Sequence, residues 1–174
     1  HQKGGLHKFM NFPGTIFTDS GGFQILSDYF YKEANKNGVW LKNPKDGQKM
    51  FITPEKVMDY QQEIMSDVAM VLDHVPQHNA TYNEAIRSLK LTHNWAEKQK
   101  KYHGEIYNKQ LLFGIMQGCI YPDLRKKSAE FISSLNFDGL AIGGLCIGEK
   151  KEDMYKMIDV TMPLIQKKKL NSRG

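Results

Sequence analysis

Short apolar runs recur along the chain, each ended by a polar or glycine-rich turn and followed by a stretch of helical period. The first run is Thr15-Ile16-Phe17-Thr18. After it, Val39-Trp40-Leu41 and Lys49-Met50-Phe51-Ile52 flank Asn43-Pro44-Lys45-Asp46-Gly47, where Asp-Gly provides the positive φ of a hairpin turn. Thr53-Pro54 opens a helix, with Thr as cap and Pro at the first helical position, and Val57, Met58 and Ile64 fall roughly on one face. The second run covers residues 68–72. Thr81-Tyr82-Asn83-Glu84 reads as a capping box for a long helix to residue 102, along which Ile86, Leu89, His93 and Ala96 recur every three or four positions. The third run, 111–116, precedes a helix over 122–134. The fourth, 139–142, precedes a helix over 151–162. Residues 166–174 are Lys-rich without a pattern and are expected to fray.

Four strand-then-helix units with one hairpin define the α/β class, with helices packed on a parallel sheet. Four such units make either an open doubly wound sheet or half of a (β/α)8 barrel, and periodicity does not choose between them.

The 174 residues suffice for one domain with a hydrophobic core and are too few for two. A composition 40% hydrophobic and 25% charged is that of a globular chain, and no apolar run approaches the roughly 18 residues a membrane span needs. No charged-then-apolar leader opens the chain, and Cys119 and Cys146 fit no C-x-x-C spacing, so a reducing cytoplasm is the expected location. The net charge of +5 suits a polyanionic partner such as RNA, although many Lys-rich proteins bind none. The chain opens with His1 rather than Met, and a longer parent is expected.

Each of the four strands runs into a polar or glycine cluster: Asp19-Ser20-Gly21-Gly22-Phe23-Gln24, Asp73-His74, Gly114-Ile115-Met116-Gln117-Gly118, and Gly143-Gly144-Leu145-Cys146-Ile147-Gly148-Glu149. Active sites of parallel α/β folds gather at the carboxyl ends of their strands, so all four clusters are expected to face one hollow. Asp19 and Asp73 each either cap the following turn or stand at the mouth of that hollow. A carboxylate there offers two acceptors that suit the ring N–H and exocyclic amine of guanine, and a second can carry protons if burial raises its pKa. Gly143-Gly144 lets backbone approach a flat ligand, though glycine pairs are also common in turns. Phe23 either stacks on a base or simply packs, and Gln117 either donates to a ligand carbonyl or satisfies local backbone. His74, His78, His93 and His103 show no metal-ligand spacing and read as structural or surface residues.

Taken together these segments resemble the tRNA-guanine transglycosylases, or queuine tRNA-ribosyltransferases. The resemblance begins at Gly4-Gly5-Leu6-His7-Lys8-Phe9-Met10 and includes Thr18-Asp19-Ser20-Gly21-Gly22-Phe23-Gln24, Ser66-Asp67-Val68-Ala69-Met70 and Phe113-Gly114-Ile115-Met116-Gln117-Gly118. It closes with Phe137-Asp138-Gly139-Leu140-Ala141-Ile142-Gly143-Gly144-Leu145 and Gly148-Glu149. It implies a TIM-barrel enzyme that exchanges the wobble guanine of tRNA for a 7-deazaguanine base through a covalent ribosyl-enzyme intermediate. Residues 1–174 would then be a single incomplete barrel domain of about four βα units with a β-hairpin insertion.

Carried over by position, Asp19 is the general acid/base, with Ser20 beside it. Phe23 stacks on the base, Asp73 reads its donor edge, Gln117 and the Gly143-Gly144 backbone meet its carbonyl, and Leu145 lies beside the 7-substituent. The family's nucleophilic aspartate and the Cys/His ligands of its structural zinc lie beyond the last matching segment. The chain is therefore expected to carry the base pocket without the nucleophile, to bind no cofactor itself, and to be inactive alone. The expected partners are tRNA, guanine or a 7-deazaguanine base, and a second subunit in a homo- or heterodimer. His74-Val75-Pro76 departs from the acidic residue and cysteine that many relatives carry there. The alternative is a non-catalytic tRNA-binding subunit that kept the barrel and lost the chemistry.

Overall fold

A computed structural model of the chain describes residues 4–21, 31–43, 46–105 and 109–171. They contain helix α1 (Gly5–Met10), strands β1 (Phe17–Thr18), β2 (Tyr31–Asn35), β3 (Gly38–Lys42) and β4 (Lys49–Ile52), and helix α2 (Pro54–Ile64). Strand β5 (Val68–Met70), α3 (Tyr82–Glu105), β6 (Leu111–Met116), α4 (Pro122–Ser134), β7 (Gly139–Ile142) and α5 (Lys151–Asn171) follow.

The helix starts form where side chains satisfy free N–H groups. The Thr53 hydroxyl accepts the Lys56 N–H at 3.2 Å, with Pro54 filling a position that needs no donor. Thr81 and Glu84 form the reciprocal box: the Glu84 carboxylate accepts the Thr81 N–H at 2.7 Å, and the Thr81 hydroxyl accepts the Glu84 N–H at 3.4 Å.

Strands β1, β5, β6 and β7 make one parallel sheet in that order, with Phe17 opposite Val68, Met70 opposite Phe113 and Ile115 opposite Ala141. Every crossover within this sheet steps the same way. Right-handed crossovers stepping one way set their helices on one face, and α2, α3, α4 and α5 do pack each against the next. A doubly wound sheet reverses its strand order partway; the described strands show no such reversal. Ala69, Leu112 and Met116 are fully buried. On the alternate positions, Phe17 and Leu111 are exposed, and Phe17 meets the half-buried Phe113 edge to face, with ring centroids 5.7 Å apart.

The insertion differs from the expected hairpin. It is a three-stranded antiparallel sheet in the order β2-β3-β4. Within the β3-β4 turn, of which Pro44 and Lys45 lie outside the described residues, Gly47 takes the expected positive φ, 72°, and the Gln48 N–H donates to the Asp46 carboxylate. Strand β2 joins through a tight turn in which the Asn35 side chain accepts the Asn37 N–H and Gly38 takes φ 148°. The small sheet is bolted to α3 by Trp95, whose side chain is fully buried and donates from Nε1 to the Asn35 carbonyl at 3.0 Å.

A second difference concerns the last helix, which runs through Pro163 to Asn171 rather than ending at residue 162. Proline removes one helical hydrogen bond. The next residues, Leu164 and Ile165, pack on the cluster of Met116, Ala129 and Ile132, and this burial carries the helix past the break into the stretch expected to fray.

Candidate functional site

Asp73, three residues past β5, is 5% exposed, and Gln117, directly after β6, is 1% exposed. Gln117 Nε2 donates to Asp73 Oδ2 at 2.5 Å, while Gln117 Oε1 is buried with no partner among the described residues. Burial pushes the Asp73 carboxyl from its ordinary range up to about 6; the Gln117 hydrogen bond opposes the rise, and the negative charge of nearby Asp19 adds to it. Asp19 and Asp73 follow the neighbouring strands β1 and β5, and the charge of Asp19 is felt at Asp73.

Asp19 is exposed immediately after β1 and accepts the Ser20 N–H at 2.7 Å. It holds the following turn, the first of the two roles its position allowed. The Ser20 side chain is buried beside it, its hydroxyl 3.5 Å from the same carboxylate oxygen. Phe23 lies outside the described residues.

Gly143 and Gly144 follow β7 and lie against the same pair. A Cβ on Gly143 would come within 2.7 Å of Gln117 Nε2 and 3.4 Å of Asp73 Oδ2, and one on Gly144 within 2.0 Å of Gln117 Oε1. Gly144 also takes φ 63°, so both space and conformation call for glycine there. Leu145 is half-buried next to them. The turn beyond closes on Glu149, whose carboxylate accepts the Cys146 N–H at 2.5 Å and the Ile147 N–H at 3.0 Å. The structure therefore brings Asp73, Gln117, Gly143 and Gly144 into contact, with Asp19 within electrostatic reach.

Helix α4 supplies two supports that sequence reasoning missed. Ser128 Oγ accepts the Gln117 backbone N–H at 3.0 Å and lies 3.2 Å from His93 Nε2. Burial lowers the His93 pKa to about 4, so its neutral ring can accept the Ser128 proton. Arg125 is fully buried and donates to the carbonyls of Cys119 (2.7 Å), Gly143 (2.7 Å), Gly144 (3.0 Å) and Met116 (3.4 Å). The one signal in the sequence is an arginine in the buried stripe with Leu124, Ser128, Ala129 and Ile132.

His74 is structural, as expected. Its ring Nδ1 is 2.7 Å from Ser88 Oγ, its backbone N–H goes to Thr92, and burial lowers its pKa to about 4, with Arg87 adding to the effect. Two cavities, of about 520 and 600 Å³, lie elsewhere. One is behind His74 against α3, and the other lies between Asp59, Ser66 and Gln110; neither contains Asp73 or Gln117. Among the described residues no three His, Cys, Asp or Glu side chains gather as a metal site, and no helix is long and apolar enough to cross a membrane.

Fold and site define an α/β protein with a polar, glycine-backed contact of Asp73, Gln117, Gly143 and Gly144 beyond the carboxyl ends of its parallel strands. The chain matches the family described as queuine tRNA-ribosyltransferase over residues 1–171, and it belongs to that family. A queuine tRNA-ribosyltransferase of Hydrogenovibrio crunogenus is 44% identical over 168 residues, covering 97% of this chain and 45% of that one. One of Prochlorococcus marinus is 46% identical over 158 residues (91% and 42%), and one of Tolumonas auensis is 42% identical over 166 (95% and 44%). The chain spans less than half the length of these curated relatives.

Proposed function

We propose that this chain is the base-recognition part of a tRNA-guanine transglycosylase, a pentosyltransferase that exchanges the anticodon wobble guanine of tRNA for a 7-deazaguanine. The observation that carries this reading is the contact of Asp73, Gln117 and Gly143-Gly144, with Asp19 close enough for its charge to act on Asp73. Guanine presents two adjacent N–H donors and then a carbonyl. Ionised Asp73 accepts the donors, and the Gln117 amide and the N–H groups of the glycine segment meet the carbonyl. Asp19 delivers the proton the departing guanine requires and takes back the one the arriving base gives up. Ser20 steadies Asp19, Leu145 flanks the 7-substituent, and Phe23 is assigned to stack on the base.

The sugar stays on the enzyme through a carboxylate nucleophile that we place outside these residues, so the chain is inactive alone. The one-way strand order supports a partial TIM (β/α)8 barrel across residues 1–174, an incomplete catalytic domain. The ligands of the structural zinc that the resemblance implies are assigned to the remainder of the protein. tRNA as partner agrees with the net charge of +5. A cytoplasmic homo- or heterodimer completes the reading.

The test is incorporation of labelled guanine into tRNA by the complete gene product. Exchange is expected. Binding of tRNA without exchange would instead identify a non-catalytic subunit.

A further inference from the structure

We propose that Arg125 is a positioning residue for the base site. By holding the Gly143 and Gly144 carbonyls on the α4 side, it turns the Gly144 and Leu145 N–H groups away from α4 and toward the ligand.

The geometry is that of the peptide unit. In a trans peptide the carbonyl and the following N–H point in opposite directions, and no described peptide is cis. Arg125 Nη1 holds the Gly143 carbonyl and Nη2 holds that of Gly144. The next two N–H groups must then face away from the guanidinium. Two consecutive glycines do not fix this orientation themselves, because glycine explores backbone space that side chains close off. The clamp has to come from outside the segment.

Arg125 suits the task. None of the described ion pairs includes it, and its described hydrogen bonds all go to backbone carbonyls. The buried charge is satisfied only while the carbonyls face it, so rotating either peptide would strip a partner from a buried cation. The same guanidinium joins the end of β6, at Met116 and Cys119, to the end of β7. Close approach of the β6 end to the start of α4, which carries Arg125, depends on Gly118, where a Cβ would sit 2.8 Å from the Arg125 N atom. Lysine cannot replace it, since three donors on one point charge do not span this set of carbonyls.

This inference rests on the guanine reading above, and the experiment separates the two. In the complete protein, KM is measured for guanine, 6-thioguanine and hypoxanthine with wild type, Arg125→Lys and Arg125→Gln. 6-Thioguanine alters only the carbonyl, and hypoxanthine lacks only the amine assigned to Asp73. In both variants the preference for guanine over 6-thioguanine is expected to fall by about tenfold, the equivalent of one hydrogen bond, with the preference over hypoxanthine unchanged. Retention of the first preference overturns the proposal, and so does loss of both together, which marks a general structural role. A wild type that does not use guanine sinks the underlying reading instead. Should neither variant fold, amide exchange in the wild type decides: guanine is expected to protect the Gly144 and Leu145 N–H groups, and no gain at either overturns the assignment.

Discussion

Gln117 gives its side-chain N–H to the carboxylate of Asp73, joining the ends of β6 and β5, and keeps its own oxygen buried without a partner among the described residues. The two side chains form a half-satisfied polar pair between apolar strands. Such an arrangement is costly when empty, because a buried acceptor without a donor has lost its water. On the function proposed above, the N–H groups of guanine would take the place of Gln117 as donors to Asp73, and the freed amide would turn its N–H to the base carbonyl.

Asp73→Asn therefore places a donor where guanine needs a second acceptor. Guanine KM in the complete protein is expected to rise about 100-fold, while tRNA affinity changes little because phosphate contacts dominate it. Steady-state exchange kinetics beside tRNA binding provide the comparison, and an unchanged guanine KM refutes the assignment.

The raised Asp73 pKa has a signed consequence for stability. The unfolded carboxyl releases its proton near 3.8 and the folded one near 6, so the folded state binds the proton more tightly. Stability is then highest at low pH in this respect, falls as pH rises from about 4 to 6, and levels above that, a total of about 3 kcal/mol. Urea unfolding across this range should show the slope, and Asp73→Asn should flatten it. Guanine binding should run the other way, strengthening through pH 6 as the carboxylate ionises. Binding that weakens over that interval would contradict the role given to Asp73.

Gly143→Ala tests the close approach without imposing a left-handed φ. Its methyl would lie 2.6 Å from Ile115 Cγ2 and 2.7 Å from Gln117 Nε2, so one or both must move. Overpacking of this kind costs about 1–3 kcal/mol. Guanine binding should weaken at least tenfold, by roughly the hydrogen bond lost when Gln117 is displaced. Calorimetry and base affinity measured on the same preparation distinguish the two effects.

Thr81→Ala removes one half of the capping box at the start of α3, which takes no part in the contact of Asp73, Gln117 and the glycine pair. A loss of about 1 kcal/mol with no change in guanine KM is expected. Chemical denaturation checks the first outcome, and a shift in KM would show that α3 is coupled to the site.

Strands β6 and β7 and helix α4 were legible because uninterrupted apolar runs and a proline start mark their limits. Asp73, Gln117 and the glycine pair were legible because each directly follows such a run. Strand β2 escaped notice because Ala34 is the residue it contributes to the buried core, and α1 because it buries nothing. Pro163 signalled a stop that burial of Leu164 and Ile165 overrides. Arg125 and Ser128 act on backbone atoms of other strands, a pairing no local pattern encodes.

The indole bolt from Trp95 to Asn35 has one more implication. With Lys98 also reaching across to the Lys36 carbonyl, the small sheet shares its fate with the long helix beneath it. It cannot swing as a flap without dragging an aromatic ring out of the interior. Any gate over the proposed base site must be hinged elsewhere, and amides on β3 should exchange as slowly as those in the middle of α3.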